Sequence, residues 1–254
     1  MTIEVAFTPA DLAGPGVAGR TIFVIDILRA TTTICAALVN GARSCVPVPS
    51  IEEAIRLAQT LERSDVLLAG ERQARRIPGF DLGNSPREMQ ESVVRDKTLI
   101  MTTTNGTSTL LATAGAARVY LAAAVNLSIA GAQAARVLAE TGDLVVACSG
   151  RAGDFSLDDA YAAGRLLQLA LGGRRRREGL NDAALVCLDL ARRYGDDWMR
   201  PLTAARAGRE LIALGYEEDI AVAAQEDRFP VLPQFTERRV IPAIVGDPAP
   251  VPVA

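Results

Sequence analysis

The stretch "TIFVIDILRATTTICAALVNGA", residues 21–42, decides the reading of the fold. Thr21 to Ile27 is a short run of apolar β-formers, strand-like in length and broken by one carboxylate, Asp26. "LRA" then leads into "TTTICAALVNGA", an alanine-rich helical pattern that Gly41 is placed to stop. A hydrophobic strand, a short polar loop and a helix make one half of a βαβ unit.

The rest of the chain repeats that order. "SCVPV" (44–48) precedes "SIEEAIRLAQTLER" (50–63), where Ser50 and Glu53 have capping-box spacing. "DVLLAG" (65–70) precedes "ERQARRIPGFDLGN", and "SPREMQESVV" (85–94) reads as a helix opening, with Ser85 as cap, Pro86 in the first turn and Glu88 closing the box. "TLIMTTT" (98–104) runs through "NGT" into "STLLATAGA". "ARVYLAAA" (117–124) precedes a helix over about 128–140, and "DLVVACS" (143–149) runs through "GRAGDF" into "SLDDAYAAGRLLQLAL" (156–171). Helical patterns follow at about 181–193 and 202–214. The alternation predicts an α/β protein, three-layer α/β/α with a mostly parallel sheet. One domain over 1–245 is expected, with two lobes meeting near the arginine-rich loop "GGRRRREGLNDA" (172–183); the tail 246–254 is proline-rich and reads as extended.

Composition narrows the chemistry. The 254 residues are 49% hydrophobic and 22% charged with a net charge of −3, which describes an ordinary globule without general attraction to nucleic acid or anionic membranes. No run is long and apolar enough for a membrane span, and the start of the chain carries no signal-peptide pattern. Cys35, Cys45, Cys148 and Cys187 lack metal-site spacing and fit a reducing cytoplasm. There is no histidine, so phosphohistidine chemistry, Ser-His-Asp triads and histidine-ligated zinc are excluded. Acid–base work falls to other groups or to a metal.

In open α/β sheets ligands bind beyond the carboxyl ends of the strands. Three loops fall there. In "DILRATTT", Asp26 could hold Mg²⁺ or attack phosphorus, Arg29 could grip an anion with paired N–H donors, and Thr31, Thr32 and Thr33 open a helix; the plainer alternative is a capping threonine and an Asp26–Arg29 pair. In "TTTNGTST" (102–109), Thr103, Thr104, Asn105 and Thr107 offer donors around Gly106, although Asn-Gly is also a hairpin signal. In "SGRAGDFSLDDA" (149–160), Ser156 and Asp159 have capping-box spacing, while Asp154 and Asp158 read as solvated or capping. "GER" (70–72) adds Glu71 and Arg72, and "GFDLGNSP" (79–86) adds Asp81, Asn84 and Ser85. The phosphate loop GxxxxGK[ST] is absent. Asp154 stands where a cysteine phosphatase built on Cys148 would need arginine, and Leu28 stands where a DxD phosphatase would need its second acid.

"DILRATTTI", "GER", "GFDLGNSP", "TTNGT" and "CSGRAGDFSLDD", in that order and spacing, resemble the 2-phosphosulfolactate phosphatase family, the ComB-like proteins. "AGRELIALGYEEDIAVAAQEDRFPVLP" resembles the family's later segment more loosely, with Ala205 where a serine is common. The resemblance implies a Mg²⁺-dependent phosphatase of an α/β/α fold that hydrolyses 2-phospho-3-sulfolactate, a step of coenzyme M biosynthesis. Carried onto these residues, it makes Asp26, Glu71, Asp81 and Asp159 candidate Mg²⁺ ligands, with Asp26, Glu71 and Asp81 also candidate catalytic acids or bases. Arg29 and Arg72 would hold the substrate's negative groups; Thr31 to Thr33, Asn84, Ser85, Thr103, Thr104, Asn105, Gly106 and Thr107 would cradle it. The partner implied is a small phosphorylated or sulfonated acid, and the alanine-rich helices leave room for a homodimer. The rival from another class is a non-catalytic binder of such an anion.

Overall fold

The computed structural model describes residues 1–12, 16–174 and 178–243. The strands expected from the sequence are present as β2 (Thr21–Ile25), β3 (Ser44–Pro47), β4 (Val66–Arg72), β6 (Thr98–Thr102), β7 (Arg118–Ala122) and β8 (Asp143–Cys148), joined by four others, β1 (Thr2–Ala6), β5 (Arg75–Arg76), β9 (Pro233–Thr236) and β10 (Arg239–Pro242). They form a ten-stranded sheet in the order β1-β8-β2-β7-β9-β10-β3-β6-β4-β5. β1, β8, β2 and β7 run parallel to one another, as do β3, β6 and β4. The antiparallel hairpin β9–β10 closes the gap between the two parallel groups. No apolar–helix alternation announces that hairpin, whose place is set by strands more than a hundred residues earlier.

Side chains alternate across the sheet, and each face has its helices. Phe23 and Ile25 pack with α5 (Leu127–Thr141), α6 (Leu157–Ala170) and α7 (Asp182–Tyr194) on one face. Farther along that face Ile100 and Val66 pack with α2 (Ile51–Ala58). Ile22, Val24, Leu99 and Met101 meet α1 (Ala30–Val39) and α4 (Gly106–Ala112) on the other face. The result is the expected three-layer α/β/α architecture. Ala30 to Leu38 are buried all round, which explains why α1 carries no polar stripe. α6 and α7 touch closely because position 164 is glycine; a Cβ there would fall 1.9 Å from the Cys187 carbonyl oxygen.

Several local readings change. The segment after Ser85 is not one helix but a single 3₁₀ turn, Pro86–Glu88, and the short α3 (Glu91–Val94). Ser85 accepts from Arg87 N–H as a cap, but Glu88 turns back to the Gly83 N–H, so the box never closes. The pattern at 202–214 is two helices, α8 (Met199–Ala204) and α9 (Arg206–Ala213), followed by α10 (Glu217–Ala223). Residues 175–177 of the arginine-rich loop and the proline-rich tail lie outside the described residues. The Asn-Gly step at 105–106 opens α4 and is not a hairpin.

Candidate active site

Crossovers in a parallel sheet bring loops from distant strands to one edge. Here the carboxyl ends of β2, β4, β6 and β8 deliver Asp26, Glu71, Thr103 to Asn105, and Arg151 to a common place. Asp26, Arg29, Glu71, Asn84, Asn105 and Arg151 line a cavity of about 10 Å³. That is room for one water-sized particle. Arg151 also lines a cleft of about 840 Å³ that opens beside it, with Arg72, Thr104 and Arg206.

The carboxylates of this edge are held by backbone N–H groups. Asp26 Oδ1 accepts from Ala30 N–H at 3.2 Å, which caps α1 with no help from a threonine. Glu71 accepts from Ala74 N–H at 2.7 Å and Thr104 N–H at 2.8 Å. Asp159 accepts from Ile27 N–H at 3.0 Å and Gly150 N–H at 3.1 Å, so its side chain ties the first loop to the third; Ser156, its expected capping partner, instead donates to Asp158. Asn105 Oδ1 takes Ala152 N–H at 3.1 Å. Three of these bonds, Thr104 N–H to Glu71, Ile27 N–H to Asp159 and Ala152 N–H to Asn105, join two loops. None supplies a full positive charge.

The electrostatics follow. Burial raises Asp26 to about 7, the Ala30 N–H opposes the shift, the charges of Asp158 and Glu71 add to it, and Arg151 lowers it. Asp158 and Asp159 are pushed upward chiefly by burial, Asp159 further by Asp158 and Asp26. Asn84 Oδ1 is buried with no hydrogen-bond partner. An orphan amide oxygen beside two converging carboxylates, in a hole of atomic size, fits a hard cation, which accepts oxygen ligands and keeps waters of its own. Among the described residues no cluster of three carboxylate or thiol side chains is close enough to form a preformed metal cage. Cys148 is buried, and burial raises its thiol well above the ordinary value, the setting of a structural cysteine.

Other candidates are placed differently. Arg29 is neither free nor paired with Asp26: its guanidinium meets Asp219 at 2.6 Å and the Ala74 carbonyl at 2.7 Å, both partners buried, and lies over the Tyr216 ring. Thr31, Thr32 and Thr33 return their hydroxyls to the carbonyls of Asp26, Ile27 and Asn84, as the buried first turn of a helix requires. Thr103 and Thr107 bond reciprocally across the start of α4. Ser85 donates to Asp219 at 2.6 Å. Asp81 lies elsewhere, bonded to Leu68 N–H and ion-paired with Arg63 near the amino end of β4. Gly106 is where it must be: a Cβ there would lie 2.7 Å from Asp26 Oδ2 and 2.6 Å from the Ala30 Cβ.

Three residues of this edge escape the sequence reading, Arg151, Glu210 and Asp219, and a fourth, Asp158, is expected there only as solvated or capping. Asp158 is buried, not solvated, whereas Asp154 is exposed. Arg151 sits inside "SGRAGDF", the one cation of a loop otherwise read for its glycines and acids. Asp219 lies in an acidic helical turn that carries no local signal.

Carboxylate and amide oxygens around an ion-sized hole, beside a cationic cleft at the carboxyl edge of a parallel sheet, make a candidate α/β enzyme site for a small anion. The model of the 2-phosphosulpholactate phosphatase family matches residues 6–238, and the chain belongs to that family, one of phosphoric monoester hydrolases. Among similar proteins, one from Symbiobacterium thermophilum is 42% identical over 88% of this chain and 94% of its own length. A Deinococcus radiodurans protein is 39% identical over 89% of each chain, and one from Clostridium novyi 34% identical over 92% of this chain and 97% of its own. All three bear the name "Probable 2-phosphosulfolactate phosphatase". Among the described residues no helix is long and apolar enough to cross a membrane.

Proposed function

We propose that this chain hydrolyses 2-phospho-3-sulfolactate, or a closely related small phosphorylated acid, to the free hydroxy acid and phosphate, with Mg²⁺ as its cofactor. The observation that supports it is the convergence of Asp26 and Glu71, 45 positions apart in sequence, on one ion-sized cavity beside a cationic cleft. A protein that only bound an anion would gain nothing from two carboxylates there, since each repels the ligand. With a cation between them the repulsion becomes attraction.

Asp26, Glu71 and the Asn84 amide oxygen would hold the ion, which when bound supplies positive charge for the phosphoryl oxygens. Arg151, fixed by its ion pair with Glu210, lines both cavity and cleft and would bind the phosphate. Arg29, held by Asp219 and the Ala74 carbonyl, would position the Asp26 loop against the turn after Glu71. Water attacks phosphorus, the ester P–O bond breaks and the alkoxide leaves with a proton. The step would serve coenzyme M biosynthesis and take place in the cytoplasm.

The test is release of phosphate from 2-phosphosulfolactate by the purified protein with Mg²⁺ and with EDTA. Turnover that needs Mg²⁺ is the expected result. No release above the protein-free rate in either condition would end the proposal, and full activity in EDTA would end its metal half.

A further inference from the structure

The hairpin between β4 and β5 turns on Gln73 and Ala74, with φ of 52° and 63°. A two-residue turn with both central residues left-handed is of type I′, which ordinarily takes Asn-Gly or Gly-Gly. Glutamine and alanine resist that conformation, and such strain persists where surrounding structure imposes it. The candidate site imposes it: Ala74 N–H donates to Glu71 Oε2, and the Ala74 carbonyl accepts from Arg29, both at 2.7 Å.

What this turn achieves is to set Arg72 and Arg75 directly opposite each other. Opposite residues of an antiparallel pair share a face, with Cβ atoms about 4.5–5.5 Å apart, and like charges there repel. Both side chains line the 840 Å³ cleft. Arg72 donates to the Glu71 carbonyl and to Thr102 Oγ1, neither of them charged, and Glu52 feels it only at longer range. Among the described residues no carboxylate forms an ion pair with Arg72 or Arg75. The other two arginines of the cleft, Arg151 and Arg206, both reach Glu210. On one side of the cleft two guanidiniums share the Glu210 carboxylate; on the other two guanidiniums face each other with no ion-paired carboxylate among the described residues.

We infer that Arg72 and Arg75 form a second anion subsite, which takes the carboxylate or sulfonate end of the substrate while its phosphate lies at Arg151. The inference rests on the hydrolase reading for its orientation, and it adds Arg75 to the residues that hold the second acid of that substrate. The cleft volume lies within the range that holds drug-sized ligands, so acids longer than three carbons fit as well.

The experiment has two arms and uses Arg75→Gln and Arg75→Lys, exposed positions whose change leaves the core intact. In calorimetry, 3-sulfolactate, which has no phosphate, binds the wild type and loses about tenfold or more in affinity in Arg75→Gln, with Lys retaining part of it. In kinetics, the ratio of kcat/KM for 2-phosphosulfolactate to that for p-nitrophenyl phosphate, which has no second acid, falls by the same tenfold or more. The subsite is overturned if wild type does not bind 3-sulfolactate, or if either quantity falls by less than tenfold. If 3-sulfolactate binding behaves as expected while no ester is hydrolysed, the subsite stands and the proposed function fails.

Discussion

The two edges of the sheet treat charge in opposite ways. At the amino edge, acids and bases are matched locally and half-exposed: Arg20 with Glu4 and Asp143, Arg63 with Asp81, Arg43 with Asp65. At the carboxyl edge Asp26, Glu71, Asp158 and Asp159 are buried close to one another and are answered by backbone N–H groups. Surface pairs of the first kind contribute little and cost little. Like charges gathered under burial are unfavourable, and such groups cluster at sites where a ligand or a reaction makes use of them. The charged residues of the amino edge serve solubility and small local gains, and those of the carboxyl edge are the ones to which the proposed function assigns chemistry.

That contrast can be broken most directly at Asp26. Asp26→Asn preserves shape and removes the charge, and is expected to lower kcat by about 100-fold or more, the scale of losing a group that stabilises the transition state. Phosphate release at near wild-type rate would remove Asp26 from the machinery. Next comes the buried pair Arg29–Asp219. Asp219→Ala leaves a guanidinium buried and uncompensated, and is expected to cost about 3–5 kcal/mol in denaturant unfolding. The double change Arg29→Met, Asp219→Leu should restore much of that stability without restoring activity; equal instability of single and double variants would refute the pairing argument.

Gly106→Ala tests the fit between α4 and the Asp26 loop, since its methyl group would overlap Ala30 and Asp26. Overpacking of this kind costs about 1–3 kcal/mol, and kcat is expected to fall with it because Asp26 itself must shift. A smaller effect concerns pH in metal-free protein. A carboxyl raised in the folded state binds more protons than it does unfolded between about 4 and 7, so it weakens the fold as pH rises through that window. Asp26→Asn removes this dependence. Its melting temperature should exceed that of wild type at pH 8 in EDTA, by about 2–4 °C per kcal/mol, and the gap should close towards pH 4. A gap that widens as the pH falls would reverse the sign and defeat the argument. Least of all should Arg63→Ala matter: less than about 1 kcal/mol, with kcat/KM within about twofold.

Much of the plan was legible from sequence because it is local. The β2–α1 unit, the capped α2 and the helix after β8 follow from period, caps and glycines within a dozen residues. Asp26, Glu71, Asn105 and Gly106 could be picked out because strand-end loops with acids, amides and glycine are themselves a local signal. Asp81 has the same local appearance, yet its register on β4 turns it to the amino edge and to Arg63. Thr31 to Thr33 read as phosphate donors, and burial of α1 obliges their hydroxyls to satisfy the chain's own carbonyls.

What the sequence by itself determined was the alternation of strands and helices, the absence of histidine chemistry and the loops at which a ligand could meet the chain. Only the tertiary structure decided which charges remain available there. Whether Arg29 meets a substrate or Asp219, 190 positions away, depends on how α10 packs, and no period or motif encodes that distance. Local order is written in neighbouring residues, whereas the pairing of charges is settled by contacts that exist only once the sheet has brought distant loops together.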